Sequence, residues 1–263
     1  MLNSSGCVAD AAPCAGAPRP GSDTYMEVVL KAGDVIVSRR DNGEWATTRI
    51  LAVDAWSDGS RTFHCLCYAP TATRPSAEGL DALTVLARHV PIDSLGFKRD
   101  GEVLCSRPVA DEELDGFHEY LKHTDFPRYI EATGQDLELV VSQANAHYMT
   151  ANALSDGDRG AEAIEEYTRA VELFPMFYEA IDNRGFTHMD LGEFDKARAD
   201  FEASLRVNPN GHTAFFSRGE CLLKLGEFDE AEKAFQEGAD RFSEHRDTYL
   251  RYVEATRIHR DMA

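Results

Sequence analysis

Along the first 110 positions the apolar residues fall in short β-branched runs cut by turn residues. Val28-Val29-Leu30 and Val35-Ile36-Val37 come first, then Asp41-Asn42-Gly43, then the run from Trp45 to Asp54. Asp58-Gly59 precedes Thr62 to Tyr68, and Asp100-Gly101 precedes Glu102 to Cys105. Such runs bounded by turn residues predict strands, and Asn-Gly predicts a type I′ hairpin turn. Residues 70–80 read as a Pro/Ser/Thr/Gly loop, and 81–99 as a short helix with one or two strands. Several short strands joined by tight turns predict a strongly bent sheet or small barrel over residues 25–110.

From residue 111 onward the spacing becomes helical. Asp111 to Leu121 is expected to form a helix with acidic residues at its amino end, and residues 135–155 another. The block from Gly185 to Phe201 then recurs as Gly219 to Phe235. Gly192, Phe194, Asp195 and Ala197 are matched by Gly226, Phe228, Asp229 and Ala231 at a constant offset of 34 residues. A looser copy lies upstream, with Ala163, Tyr167, Ala170 and Pro175, and Pro175 to Pro209 is again 34 residues. A fixed period of this length marks a stack of repeated helical units.

The repeated block resembles the tetratricopeptide repeat over about residues 144–243. The resemblance implies a pair of antiparallel helices per unit, small residues at Gly185, Gly219, Ala197 and Ala231, and Phe201 and Phe235 filling the space between units. Gly192 and Gly226 would end each first helix, and Pro175 and Pro209 each second helix. The expected fold class is therefore α+β, with a small β barrel followed by an all-α solenoid. The domains are 1–24 (unstructured), 25–110 (β), 111–143 (helical connector) and 144–263 (repeats). The units are expected at about 144–177, 178–211 and 212–245, with 246–262 as a capping helix, since repeat arrays need a polar outer end. The first copy reads as having an extra residue between Gly157 and Ala163, which predicts a longer turn there. A weaker resemblance, to the opening of SH3-like or Tudor-like barrels, rests on Gly33 to Val37, Trp45 and Arg49 to Leu51. It implies an aromatic cluster from Trp45, Phe63 and Tyr68, set against the alternative that these three are core.

The tetratricopeptide resemblance further implies a concave groove lined by the first helices, binding a protein or peptide. Carried over position by position, the groove includes Ala144, His147, Ala151 and Leu154 in the first unit. Glu179, Asp182, Asn183, Phe186 and Met189 serve in the second, and Thr213, Phe216, Ser217, Glu220 and Leu223 in the third. Of these, Asn183 matches the polar residue that holds a ligand backbone. The Lys and Arg residues with which one subtype grips chaperone carboxylates are missing from the matched positions, which argues against that ligand.

Charge sharpens this expectation. The chain carries 27 basic and 46 acidic residues, net -19. Residues 1–110 contribute -2 and residues 111–263 contribute -17. Such a surface does not neutralise nucleic-acid phosphates or dock on anionic membranes, and no apolar run is long enough to span a bilayer. It favours a basic partner at Glu179, Asp182 and Glu220, with Phe186, Met189, Phe216 and Leu223 taking apolar anchors. The Ala/Gly/Pro/Ser-rich start lacks a secretory pattern, and the first 25 residues are expected to be dispensable, with Met26 a possible true start. The six cysteines do not have disulfide-scaffold spacing, which points to a cytoplasmic protein. Cys65, Cys67 and Cys105 read as small buried hydrophobes rather than metal ligands, so no metal or cofactor is expected. Richness in Ala, Asp and Arg points to a bacterial source.

No phosphate-binding, dinucleotide, zinc-protease or serine-hydrolase motif occurs. His118 and His123 are five apart on a predicted helix, and His64 alternates with Cys65 on a strand, so neither pattern assembles a site. The expected function is a non-enzymatic adaptor. The alternatives are an immunity-type or antitoxin-like inhibitor of a basic toxin or enzyme, and an enzyme or ligand reader centred on the β region. Oligomeric state is not legible in the sequence.

Overall fold

A computed structural model describes residues 30–94 and 101–263 of the 263-residue chain. The expectations for residues 1–24, for Met26 and for Val28-Val29 lie outside the described residues. The chain divides into two compact units, between Tyr120 and Leu121. This lies beyond the boundary expected near residue 110.

The first unit is a five-stranded antiparallel sheet. Its strands are β1 (Asp34–Arg39), β2 (Trp45–Ala55), β3 (Arg61–Tyr68), β4 (Val85–Asp93) and β5 (Glu102–Ser106). Their order is β4-β3-β2-β1-β5. β2 and β3 pair from Thr48 with Cys67 to Ala55 with Arg61, with a bulge between Ile50 and Ala52. Further irregularities lie between Val35 and Ile36, and at Cys65 to Tyr68. Bulges bend strands, but the sheet stays open: β4 and β5 are its two edges, and the expected barrel is not formed. Closure needs hydrogen bonds between the two edge strands. Here β5 pairs with β1 on one side and does not meet β4.

The β1–β2 turn also differs from the expected type. Gly43 has φ 86°, but no non-glycine residue in this turn has positive φ. Gly43 N–H donates to the Arg40 carbonyl, and Arg40 N–H to that of Glu44. One left-handed residue closing a four-residue turn is the bulged hairpin, and Trp56 to Ser60 repeats it with Gly59 at φ 84°.

One sheet face buries Ile36, Ile50, Phe63, Cys65 and Cys67. Alternation puts Arg49 and His64 on the other side of their strands, and both are 1% exposed. The Arg49 guanidinium donates to the Pro108 carbonyl at 2.6 Å and meets Glu113 Oε2 at 2.9 Å. A buried charge is tolerated only when paired in this way. α1 (Asp115–Thr124) brings Phe117 to 4.5 Å from the His64 ring.

The second unit is helical. α2 (Phe126–Thr133) is capped by Asp125, whose carboxylate accepts from Arg128 N–H, and ends at left-handed Gly134. α3 (Leu137–Asp156) is capped by Asp136. Then come α4 (Gly160–Leu173), α5 (Tyr178–Asp190), α6 (Phe194–Val207), α7 (His212–Lys224), α8 (Phe228–Arg241) and α9 (Arg246–Met262). α4, α6 and α8 start at 160, 194 and 228, while α3, α5 and α7 end at 156, 190 and 224. The 34-residue register therefore holds across all three pairs, and the first has no extra residue. Asp158 (φ 56°) occupies the left-handed slot that Gly192 (φ 74°) and Gly226 (φ 78°) fill later. Asp is among the few side chains that tolerate that slot. Gly157, one residue earlier, is what made the turn look longer.

Packing follows the same register. Tyr167, Phe201 and Phe235 are all at most 2% exposed. A Cβ added at Gly185 would stand 2.9 Å from the Phe201 ring, and one at Gly219 would stand 2.6 Å from Phe235. Each buried aromatic contributes about 1.5–3 kcal/mol, and only a glycine lets the backbone come this close. α9 ends the stack, with Tyr249 and Val253 buried against α8.

Candidate functional site

The observed register moves the groove positions of the first pair by one residue. The equivalents of Glu179, Asp182, Phe186 and Met189 on α3 are Asn145, Tyr148, Asn152 and Ser155. Ala144 and Ala151 are fully buried, and Ala151 packs in a cluster with Tyr167. His147 is half-buried and bonds through Nδ1 to Glu166 Oε2 of α4 at 2.6 Å. It lies at the position equivalent to Ile181 and Phe215, both of which are buried.

Asn183 on α5 is brought against α3. Its Nδ2 donates to Asn152 Oδ1 at 3.1 Å and to Tyr148 Oη at 3.2 Å. Asn152 Oδ1 also accepts from the Tyr167 hydroxyl at 2.6 Å. Beside this network lies a cavity of about 390 Å³ lined by Asn152, Ser155, Asp156, Tyr167, Asn183, Phe186, Thr187 and Asp190. Asp156 and Asp190 are exposed at its rim. Sequence reading missed Asn152, Asp156 and Asp190. The Tyr167/Phe201/Phe235 register would have found Asn152, whereas Asp156 and Asp190 lie one residue beyond the positions the resemblance implies.

The remaining groove residues divide by environment. Glu179 is exposed. Asp182 is half-buried, and burial holds its carboxyl above the ordinary range. The Ser204 hydroxyl pulls the other way, and Glu179 and Asp200 add to the rise. Asp182 Oδ1 and Ser204 Oγ are both buried atoms. Phe186 and Met189 pack against the cluster of Ala197, Phe201, Ala214 and Cys221. Phe216 and Leu223 pack against the one containing Phe235 and Tyr249. Glu220 accepts from the Tyr252 hydroxyl of α9 at 3.1 Å, and burial raises its carboxyl too. Arg184 clamps Asp200 with Nε at 3.0 Å and Nη2 at 2.6 Å. Two of the three groove carboxylates are thus partly committed within the fold, and Glu179 is the exposed one.

Of the three aromatics of the expected cluster, Phe63 lies in the core, the Arg74 guanidinium caps Trp45 at 5.6 Å, and the Tyr68 hydroxyl is raised chiefly by burial. A part-buried polar chain does form around the buried His64. Asp54 Oδ2 lies 3.0 Å from His64 Nε2, and His64 Nδ1 lies 2.9 Å from His89 Nε2. Burial, helped by His64, pushes His89 down to about 4. The neighbouring Cys65 thiol is raised by burial, so it is a poor nucleophile. Among the described residues no group of three or more His, Cys, Asp or Glu is placed to hold a metal ion. Among the same residues no helix is long and apolar enough to cross a membrane.

These features define the helical unit as a stack of paired-helix repeats with a polar seam between its first helices. Residues 184–245 match the family described as Tetratricopeptide repeat. Among curated proteins nothing matches the chain. Among solved structures, the second TPR domain of human RPAP3, in complex with an HSP70 peptide, is 19% identical with a TM-score of 0.41. That match covers 44% of this chain and 96% of that one. The Arabidopsis OM64 TPR domain is 20% identical with a TM-score of 0.42, covering 46% and 98%. The TPR2B domain of yeast Sti1, in its pHsp70 complex, is 15% identical with a TM-score of 0.42, covering 45% and 99%.

Proposed function

We propose that the chain is a non-enzymatic interaction module whose first helices, α3, α5 and α7, receive a basic or apolar segment of a partner protein. The observation that carries this is the uniform 34-residue register, which aligns Asn152, Asn183, Phe186, Met189, Phe216 and Leu223 along successive first helices. The tetratricopeptide match over 184–245 supports it, because concave solenoid faces are binding surfaces. The charge of -17 over residues 111–263 supports a basic partner, drawn in by long-range attraction.

The test uses full-length protein as bait in extract of the source cell, compared with a variant carrying Glu179→Lys, Asp182→Asn and Glu220→Gln. The two half-buried carboxylates are neutralised rather than reversed, so that the fold survives. The expected result is a specific partner whose recovery falls at least about tenfold in the variant and falls steeply with added salt. Equal recovery by both baits removes the groove from the function.

A further inference from the structure

The cavity between α3 and α5 has a composition that selects a particular kind of side chain. Its floor is set by Asn152 and Asn183, bonded to each other and held by the hydroxyls of Tyr148 and Tyr167. Asn152 Oδ1 already accepts two hydrogen bonds, and the Asn183 amide nitrogen already donates two. The floor is therefore fixed in orientation before anything binds. One wall is the Phe186 ring, itself held 5.1 Å from the Phe201 ring. Asp156 and Asp190 stand at the rim, at equivalent positions of successive repeats. Neither forms an ion pair with Lys, Arg or His among the described residues, whereas Asp200 in the same unit is held by Arg184. In the third pair the equivalent position is Lys224, so the next seam lacks the second carboxylate.

An aromatic wall beside two unpaired carboxylates suits an aliphatic stem that ends in a delocalised cation. The stem lies along Phe186, and the cation meets the ring face and lies between the two carboxylates. We infer that this cavity is an anchor pocket for a single arginine side chain of the bound segment. It would fix which residue of the partner sits between the first two repeats. A volume near 390 Å³ leaves room for such a side chain. The inference rests on the binding reading above and adds a register-setting contact to it. It does not involve Glu179, Asp182 or Glu220.

The probe is an acetylated and amidated octapeptide of Ala and Leu with one central Arg, compared with the same peptide carrying citrulline. Citrulline keeps the shape and removes the charge. Amide resonances of the full-length protein are followed by NMR during titration. The expected result is shifts centred on Asn152, Asp156, Asn183 and Asp190, with the citrulline peptide at least tenfold weaker. In Asp156→Asn/Asp190→Asn the two peptides should become equal, because only the charge preference depends on those carboxylates. Shifts confined to Met189, Phe216 and Leu223, with no preference for Arg, would overturn the pocket and leave the groove standing. An absence of shifts on α3, α5 and α7 with either peptide would overturn both.

Discussion

The two units reach stability by different routes. In the helical unit one solution is reused: an aromatic of a second helix rests on a small residue of its own first helix. Tyr167 is clustered with Ala151, Phe201 lies on Gly185, and Phe235 lies on Gly219. In the sheet unit the bulged hairpin recurs, but no packing contact of this kind does among the described residues. There the decisive contacts are single and polar and join distant parts of the chain: Arg49 with Glu113, and His64 with both Asp54 and His89. A repeated contact loses a fraction of its support when one copy fails. A single buried ion pair has no substitute.

The largest test of this difference is Arg49→Met. It takes the guanidinium from the Glu113 carboxylate, which keeps its bond from Ala110 N–H, and from the Arg107 and Pro108 carbonyls, and it is expected to lower the stability of the sheet unit by about 3 kcal/mol. Both tryptophans, Trp45 and Trp56, lie in that unit, so their fluorescence reads it alone. Far-ultraviolet dichroism is dominated by the helices. The fluorescence transition in urea should move to lower concentration while the dichroism transition stays. If both move together, the units are not separable in stability.

A middle-sized effect sharpens the helical side. A Cβ at Gly238 would stand 2.1 Å from the Tyr249 ring, against 2.6 Å for Gly219 with Phe235 and 2.9 Å for Gly185 with Phe201. Overpacking of this kind costs about 1–3 kcal/mol. Alanine at the three sites should therefore destabilise in the order Gly238, Gly219, Gly185, read by dichroism with fluorescence unchanged. Equal losses would show that the seams relax freely and that the spacing is not what sets them.

The smallest effect is in acid. His89 is held down at about 4 in the fold against an ordinary 6.5. Between those values the unfolded chain binds the proton and the folded one does not, so stability falls as pH drops from 6.5 towards 4. The groups around His89 are His64, Phe117 and Tyr120, with Asp54 beyond His64. His89→Gln should flatten the fluorescence-detected slope of stability in that window. An unchanged slope would assign the acid sensitivity elsewhere. In the helical unit Asp182 and Glu220 work with the opposite sign, because folding raises their affinity for protons and protonation relieves them.

The same contrast explains what the sequence discloses. The helical pairs are legible because Gly192 and Gly226, or Phe201 and Phe235, need only be compared at one spacing. The reading slipped by one residue in the first pair because Gly157 invites alignment with Gly192, while the left-handed position belongs to Asp158. That slip put His147 in the groove and hid Asn152. In the sheet unit the strands are legible from β-branched runs, but closure is not. Whether β5 joins β4 or β1 depends on contacts between distant residues, which leave no local pattern. Nor does any local signal show that the charged Arg49 goes inside, since a lone Arg in a strand reads as a surface residue.

A chain of like units risks docking one step out of place, as a zipper closes on the wrong tooth. The last seam guards against that error. The positions equivalent to Gly238 are Ser204 and Ala170, and those equivalent to Tyr249 are Phe215 and Ile181. The series Ala, Ser, Gly thus runs alongside Ile, Phe, Tyr, and Tyr249 lies where only a glycine leaves room. If α9 were offered the surface around Ser204, its ring would meet a side chain where it needs bare backbone. Each joint is cut to its own key, so the order of the units is written into their steric fit as well as their covalent sequence.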